Sequence, residues 1–216
     1  MIVVGVDGCP SGWVAVALDD GALADARFFP SFADVLTAFP RAEAVAVDMP
    51  IGLPAPPAYR RRADQDAAAF LRGQQSVVFP TYPREVYEAQ PHATAVQLCR
   101  SYGWPAISRQ SYGLWKRIAE VEACRDERVH EVHPEVSFRA LANGQIGFSK
   151  RSWNGFFERR RLLRENGIEL PDDLGGVPLI DTVDAGACSW SARRIAAGAF
   201  ETLPRDPAPG EPTIFY

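Results

Sequence analysis

The sequence predicts a single α/β domain built around a mixed β-sheet, and three observations indicate this class. A short apolar segment rich in valine and isoleucine opens the chain, over residues 2–7. A second apolar segment, residues 13–18, follows a turn of glycine, proline and serine, which is typical of an antiparallel hairpin. A helical pattern then precedes a further buried segment, residues 44–47, and such a crossover places that strand parallel to the first.

The predicted sheet has a third strand at residues 27–29, directly before the crossover helix. Ser31 is a favourable N-cap for this helix, whose apolar residues recur at helical spacing. Asp48 directly follows the fourth strand. Functional groups gather beyond the carboxyl ends of parallel strands, so we expect the functional site at this edge of the sheet.

Residues 53–128 are predicted as a loop-rich insertion within the one domain, which spans residues 1–216. Five prolines between residues 54 and 83 interrupt regular structure in its first part. The remaining elements are predicted as a helix at 64–71, a helix capped by Ser108, a strand at 129–136, a basic helix at 155–165 and a helix at 181–197, followed by a proline-rich loop.

The charge balance limits the range of partners. The formal net charge is −4, which argues against binding nucleic acid by bulk positive charge. Two arginine runs, residues 60–62 and 159–161, leave room for a local basic groove, although solvated helix faces explain them equally well. The four cysteines show no metal or redox spacing and fit a reducing cytoplasm. Since no signal peptide or membrane-spanning segment is recognised, we expect a cytoplasmic protein without membrane contact.

Two aspartates are the first candidates for a functional site. Asp7 ends the first predicted strand, and Asp48 follows the strand parallel to it. Neighbouring strands lie about 4.8 Å apart, so these carboxylates would repel each other unless a proton or a cation lies between them. Hard oxygen ligands favour Mg²⁺ or Mn²⁺ over zinc. The alternative is that both aspartates only begin turns.

Further polar residues alternate along the predicted strand at residues 129–136. Glu131, His133 and Glu135 would therefore point to one face and require solvent, partners or metal. Pro134 places the segment at a sheet edge or a strand end, so a solvent-facing edge strand is the alternative interpretation.

A third acidic pair begins the last predicted helix. Asp181 and Asp184 are three residues apart and share one helix face. They would form either a capping pair or an inward-facing group that reaches Asp7 and Asp48. Among the basic residues, Arg62, Arg84 and Lys150 are candidates to bind substrate phosphates, with exposed surface charges as the alternative.

Several short motifs follow one another along nearly the whole chain. They are GVDG and GW (5–8, 12–13), DMPIGL (48–53), RAD (62–64), SVVFP (76–80), SRQ (108–110), residues 116–121, EVHPE (131–135), SK (149–150), NG (154–155), and residues 181–185 with Trp190. Together they resemble the DUF429 family of predicted nucleases with a ribonuclease H-like fold.

The resemblance implies a single ribonuclease H-like domain whose mixed five-stranded sheet is flanked by helices and carries an acidic site. It assigns the strand carboxylates to Asp7 and Asp48 and the remaining acids to Glu135 and Asp184. Three further residues are expected nearby: Glu131, His133 and Asp181.

The leading hypothesis is a nuclease in which one or two Mg²⁺ or Mn²⁺ ions bind Asp7, Asp48, Glu135 and Asp184. His133 would relay a proton. The expected partner is a nucleic acid or another phosphodiester, and a homodimer is compatible with the sequence. A non-catalytic nucleic-acid or nucleotide binding module of the same fold is the alternative, and a phosphotransferase on a related scaffold is a third.

Overall fold

The computed structural model describes residues 1–216 and confirms the α/β class. Its centre is a five-stranded sheet in the order β3-β2-β1-β4-β5. The strands are β1 (Ile2–Cys9), β2 (Gly12–Asp19), β3 (Ala22–Phe29), β4 (Ala44–Val47) and β5 (Val129–Glu131). β1 is antiparallel to β2 and parallel to β4, which is in turn parallel to β5. The mixed five-stranded sheet implied by the resemblance is therefore confirmed.

Nine helices and a small second sheet complete the fold. The helices are α1 (Phe32–Ala38), α2 (Arg62–Phe70), α3 (Arg84–Glu88), α4 (His92–Ser101), α5 (Arg109–Gly113), α6 (Trp115–Cys124), α7 (Pro134–Leu141), α8 (Trp153–Glu165) and α9 (Leu179–Ala196). β6 (Thr202–Leu203) pairs with β7 (Ile214–Phe215). The segment from α2 to α6 is more helical than its prolines suggested. The tail predicted as loop from Pro204 contains β7, and β6 lies directly before it. None of the helices is both long and apolar enough to cross a membrane.

A separate hydrophobic core covers each face of the sheet. Val4 and Val6 of β1 pack in the core that contains α1 and the helices of the insertion. Val3 faces the other core, which contains α7, α8 and α9. Because strand side chains alternate between faces, Asp7 falls on the α9 side of β1. The same alternation in β4, where Ala44 and Ala46 face that core, carries Asp48 to the same side.

Gly5 allows α9 to lie directly on β1. A Cβ atom at Gly5 would be 2.0 Å from the backbone nitrogen of Ser189 and 2.2 Å from the carbonyl oxygen of Ala185. Only glycine permits this approach, since the backbone of α9 leaves no room for a side chain. The approach places Asp184, the neighbour of Ala185, over the strand that carries Asp7.

Gly5→Ala is expected to destabilise the fold by more than the roughly 1–3 kcal/mol typical of overpacking, because neither backbone contact can yield locally. Urea unfolding would measure the loss. Gly8→Ala in the same strand is the matched control, since its nearest neighbour would lie at an ordinary 3.6 Å. Equal stability of the two variants would contradict the close packing of α9.

Two predicted element boundaries are wrong in ways that affect the site. β5 ends at Glu131, and Pro134 starts α7 instead of lying within a strand, because proline is favourable in the first turn of a helix. Glu131, His133 and Glu135 therefore do not share one strand face. In addition, α9 begins at Leu179 without a side-chain cap, so Asp181 is not the capping residue of that helix.

Candidate functional site

Three aspartates from three separate elements converge at the edge of the sheet. The backbone N–H of Asp48 donates to the carbonyl of Val6 at 2.9 Å, which fixes the end of β4 beside β1. The Asp7 carboxylate accepts the N–H of Gly8 at 2.8 Å and is only 6% exposed. Asp184 reaches the same place from the first turns of α9 and is 1% exposed. Both predicted strand carboxylates thus lie on one side of the sheet, together with the acid from α9.

Burial and mutual repulsion leave this cluster with excess negative charge. Burial raises the pKa of Asp7 well above its usual value, and the charges of Asp48 and Asp184 raise it further. Burial also raises the pKa of Asp48, against the opposing effects of His133 and Lys150. For Asp184, burial raises the pKa to about 6 despite its contact with Lys150. The cluster would therefore retain a proton at mildly acidic pH or attract a cation.

Lys150 supplies the main positive charge within the cluster. Its ammonium group donates to Oδ2 of Asp184. Burial lowers the pKa of Lys150, but Asp184, Asp48 and Asp7 outweigh this effect and raise it overall, so the side chain stays charged. The second oxygen of Asp184, Oδ1, is buried and has no hydrogen-bond partner. An unpartnered carboxylate oxygen is a position where an additional donor or a cation would be stabilised.

The cluster suits a divalent cation by ligand type and charge. Carboxylate oxygens are the ligands that Mg²⁺ and Mn²⁺ prefer, and three acids exceed the single ammonium group. As they stand, however, no three histidine, cysteine, aspartate or glutamate side chains are arranged to hold one ion. Binding an ion would therefore require rotation of these side chains.

The acidic edge opens into a cavity of about 630 Å³. Asp7 and Asp48 line it, together with the predicted residues Glu131, His133, Glu135 and Lys150. Neither Asp184 nor Asp181 lines the cavity. The charge of Asp181 nevertheless raises the pKa of Asp7. The sequence therefore identified these six polar residues of the cavity lining.

Glu131 is held in a buried ion-pair network. Its carboxylate accepts two bonds from the Arg61 guanidinium at 2.7 Å and one from the N–H of Ile51 at 2.6 Å. The same guanidinium binds Asp64 of α2. Burial alone would lower the pKa of Arg61, but Glu131 and Asp64 raise it overall. Glu131 thus attaches the insertion and the loop after Asp48 to the end of β5.

Glu135 is paired in a similar way on the other side of the cavity. Arg159 of α8 donates to its two oxygens at 3.0 and 2.8 Å, and both side chains are buried. Arg159 also donates to the carbonyls of Phe148 and Gly155 at 3.0 Å. This arginine therefore connects the start of α7 with the turn that carries Lys150.

His133 precedes α7 and lies close to Asp48. Its positive charge, when present, lowers the pKa of Asp48. The Nδ1 atom of His133 is buried and has no hydrogen-bond partner. This histidine is therefore placed to exchange a proton with a group bound in the cavity.

The structure does not bring Arg62 or Arg84 to the cavity. Arg62 pairs with Asp206 and Glu211, and Arg84 pairs with Glu122, all at other surfaces. Besides Lys150, the basic residues that line the cavity are Arg61, Arg151 and Arg159. The sequence indicated the runs that contain Arg61 and Arg159 without singling out either residue, and it missed Arg151. The spacing of Arg61 to Asp64, i to i+3 at a helix start, was the signal that could have distinguished Arg61 from its neighbour.

Known proteins resemble this chain in sequence and, at a low level, in structure. A family model described as "Protein of unknown function (DUF429)" matches residues 5–209. Among solved structures, RuvC from Thermus thermophilus aligns with 92% of this chain and 98% of its own, at 16% identity and a TM-score of 0.36. At these values the likeness carries no argument about function. No curated protein sequence matched the chain.

Proposed function

The chain belongs to the DUF429 family, and from this premise we propose that it is a divalent-metal-dependent nuclease. The observation that carries the proposal is the convergence of Asp7, Asp48 and Asp184, from three separate elements, into one cluster at a cavity, with Asp7 and Asp184 buried and Asp48 half-buried. Burying acids with so little compensating positive charge lowers the stability of a fold. Ionisable groups in such unfavourable surroundings are characteristic of functional sites.

In this proposal the three aspartates hold Mg²⁺ or Mn²⁺. A bound ion would activate a water molecule and stabilise the charge that develops on the phosphate. Glu135 is the proposed fourth ligand, because a carboxylate oxygen has a second lone pair that remains available beside the Arg159 bond.

The other residues of the site handle protons and phosphate charge. In hydrolysis, the water oxygen loses a proton to solvent or a nearby base and bonds to phosphorus, the bond to the leaving oxygen breaks, and that oxygen gains a proton. His133, with its unpartnered Nδ1 beside Asp48, is placed to transfer this proton. Once a metal ion neutralises Asp184, the Lys150 ammonium is free to contact a substrate phosphate.

The direct test incubates the purified protein with end-labelled DNA and RNA in Mn²⁺, in Mg²⁺ and in EDTA. We expect products with either metal ion and none in EDTA. The competing proposal is a non-catalytic binding module. It is favoured because Lys150 already neutralises Asp184, and because no three ligands are yet arranged around one point. Nucleic-acid binding that is equal in EDTA, without cleavage in either metal, would establish the module instead.

We further propose that the protein works in a reducing compartment such as the cytoplasm. All four cysteines are unpaired, and three of them are buried among the two cores. Cysteines that remain unpaired are typical of proteins in reducing compartments, where disulfides are rare.

A further inference from the structure

The insertion forms a wall over the acidic edge. Residues of α2 and of the segment after it, including Asp64, Gln74, Val77 and Phe79, line the cavity opposite Asp7. The side chain of Gln74 donates to the carbonyl of Ile146 at 3.2 Å, so the wall is joined to the loop before α8. Asp7 and Asp48 therefore lie in a partly open pocket and not on a flat surface.

The dimensions of this space limit what can reach the acids. A cavity of about 630 Å³ falls within the range of small-molecule sites, about 300–1,000 Å³, and holds on the order of one nucleotide. A double helix keeps its nucleotides paired and stacked, so none of them enters a space of this size without leaving the helix. A single strand can place one nucleotide inside while its neighbours remain outside.

An exposed aromatic cluster lies next to the mouth of the cavity. Ser149, Lys150 and Arg151 line the cavity, and exposed aromatic residues flank this turn. Trp153 is 77% exposed and packs on Phe157 with ring centroids 4.5 Å apart. Phe148, on the other side of the turn, is 50% exposed. Large aromatic surfaces are rarely left in water on a helix start unless they contact a partner.

Arg151 adds an available positive charge at the same place. Its side chain is exposed, and its backbone N–H bond to Ser149 is the only hydrogen bond that the residue donates. The other basic residues that line the cavity, Arg61, Lys150 and Arg159, are each paired with acids. Arg151 is therefore the lining cation that is free to bind a phosphate.

We propose that the substrate is single-stranded nucleic acid, with bases stacked on Trp153 and Phe157, a phosphate on Arg151 and one nucleotide in the cavity. The combination of aromatic surfaces with basic side chains is the general chemistry of single-strand binding, in which bases stack and cations follow the backbone. This inference deepens the proposed nuclease function and rests on it for the role of the acids.

The test measures binding by fluorescence anisotropy, in EDTA, of labelled single-stranded DNA and RNA and of the matching duplexes. We expect a single strand to bind about tenfold more tightly than its duplex or better. Trp153→Ala should weaken single-strand binding about 5- to 150-fold, the range for loss of one stacked base. Arg151→Ala should also weaken it. Both side chains are exposed, so the fold should tolerate these changes.

The matched controls are Tyr102→Ala, an exposed aromatic residue directly after α4, and Arg41→Ala, an exposed arginine before β4. Both should bind as the wild type does. Equal binding of duplex and single strand, or wild-type affinity in the Trp153 and Arg151 variants, would overturn the inference.

Cleavage assays separate this inference from the proposed function. Rapid cleavage of a duplex in Mn²⁺ would overturn the single-strand inference and leave the nuclease proposal standing. Rapid cleavage of a dinucleotide that Trp153→Ala does not slow would have the same meaning. Preferential single-strand binding without cleavage in Mn²⁺ or Mg²⁺ would support the inference and overturn the nuclease proposal.

Discussion

Asp48→Asn is expected to reduce metal-dependent cleavage by on the order of a thousandfold while the protein stays folded. The change removes one of the three proposed metal ligands but keeps the size of the side chain and the backbone N–H bond to Val6. Rates of cleavage of a labelled single strand in saturating Mn²⁺ would measure the effect. Because the substitution also removes a charge from a repelling buried cluster, stability without metal should rise, by about 0.5–2 kcal/mol.

Glu43→Gln is the matched control for this prediction. Glu43 is an exposed acid just before β4, at the opposite end of the strand from Asp48. Its removal changes the net charge by the same amount and should leave cleavage unchanged. Undiminished cleavage by the Asp48 variant would remove Asp48 from the proposed machinery.

Arg61→Met is expected to destabilise the fold by about 3–5 kcal/mol. The Arg61 side chain is 2% exposed and neutralises both Glu131 and Asp64. Methionine would leave two buried carboxylates without a counter-charge, and such a loss costs more than the ion pair itself contributed. The carbonyls of Ile51 and Gly52 would also lose a donor, so the loop after Asp48 would be less well fixed.

Urea unfolding of the Arg61 variant gives the loss in free energy directly. Arg62→Met is the control, because Arg62 pairs with Asp206 and Glu211 at a half-exposed position and such surface pairs contribute about 0–1 kcal/mol. Similar stability of the two variants would mean that the buried network does not hold the insertion to the sheet.

The placement of the strand carboxylates follows from local sequence. Alternation along two valine-rich strands puts Asp7 and Asp48 on one side of the sheet, and the crossover makes those strands adjacent. These features depend only on side-chain periodicity and chain connectivity. The sequence therefore predicted the sheet and the pair of acids at its edge.

Other parts of the site depend on tertiary contacts that periodicity does not specify. Asp184 approaches the other acids because the backbone of α9 lies on Gly5. This contact between a helix and a strand is not predicted by the periodicity of either element. The arginine at the cavity is Arg61 and not the predicted phosphate-binding candidate Arg62, because a shift of one residue at a helix start exchanges the inward and outward side chains. Likewise, the alternating residues around Pro134 resemble a strand, although proline favours the helix start found there.

The most direct test of the central claim is calorimetric titration of Mn²⁺ into the wild-type protein and into Asp7→Asn. Wild-type protein should bind Mn²⁺, with affinity that rises as the pH increases through about 6, because Asp184 must lose its proton before it can act as a ligand. Asp7→Asn should remain folded and lose most of this binding. Absence of Mn²⁺ binding by the wild-type protein, or equal binding by the variant, would contradict the claim that these separate acids form one cation site.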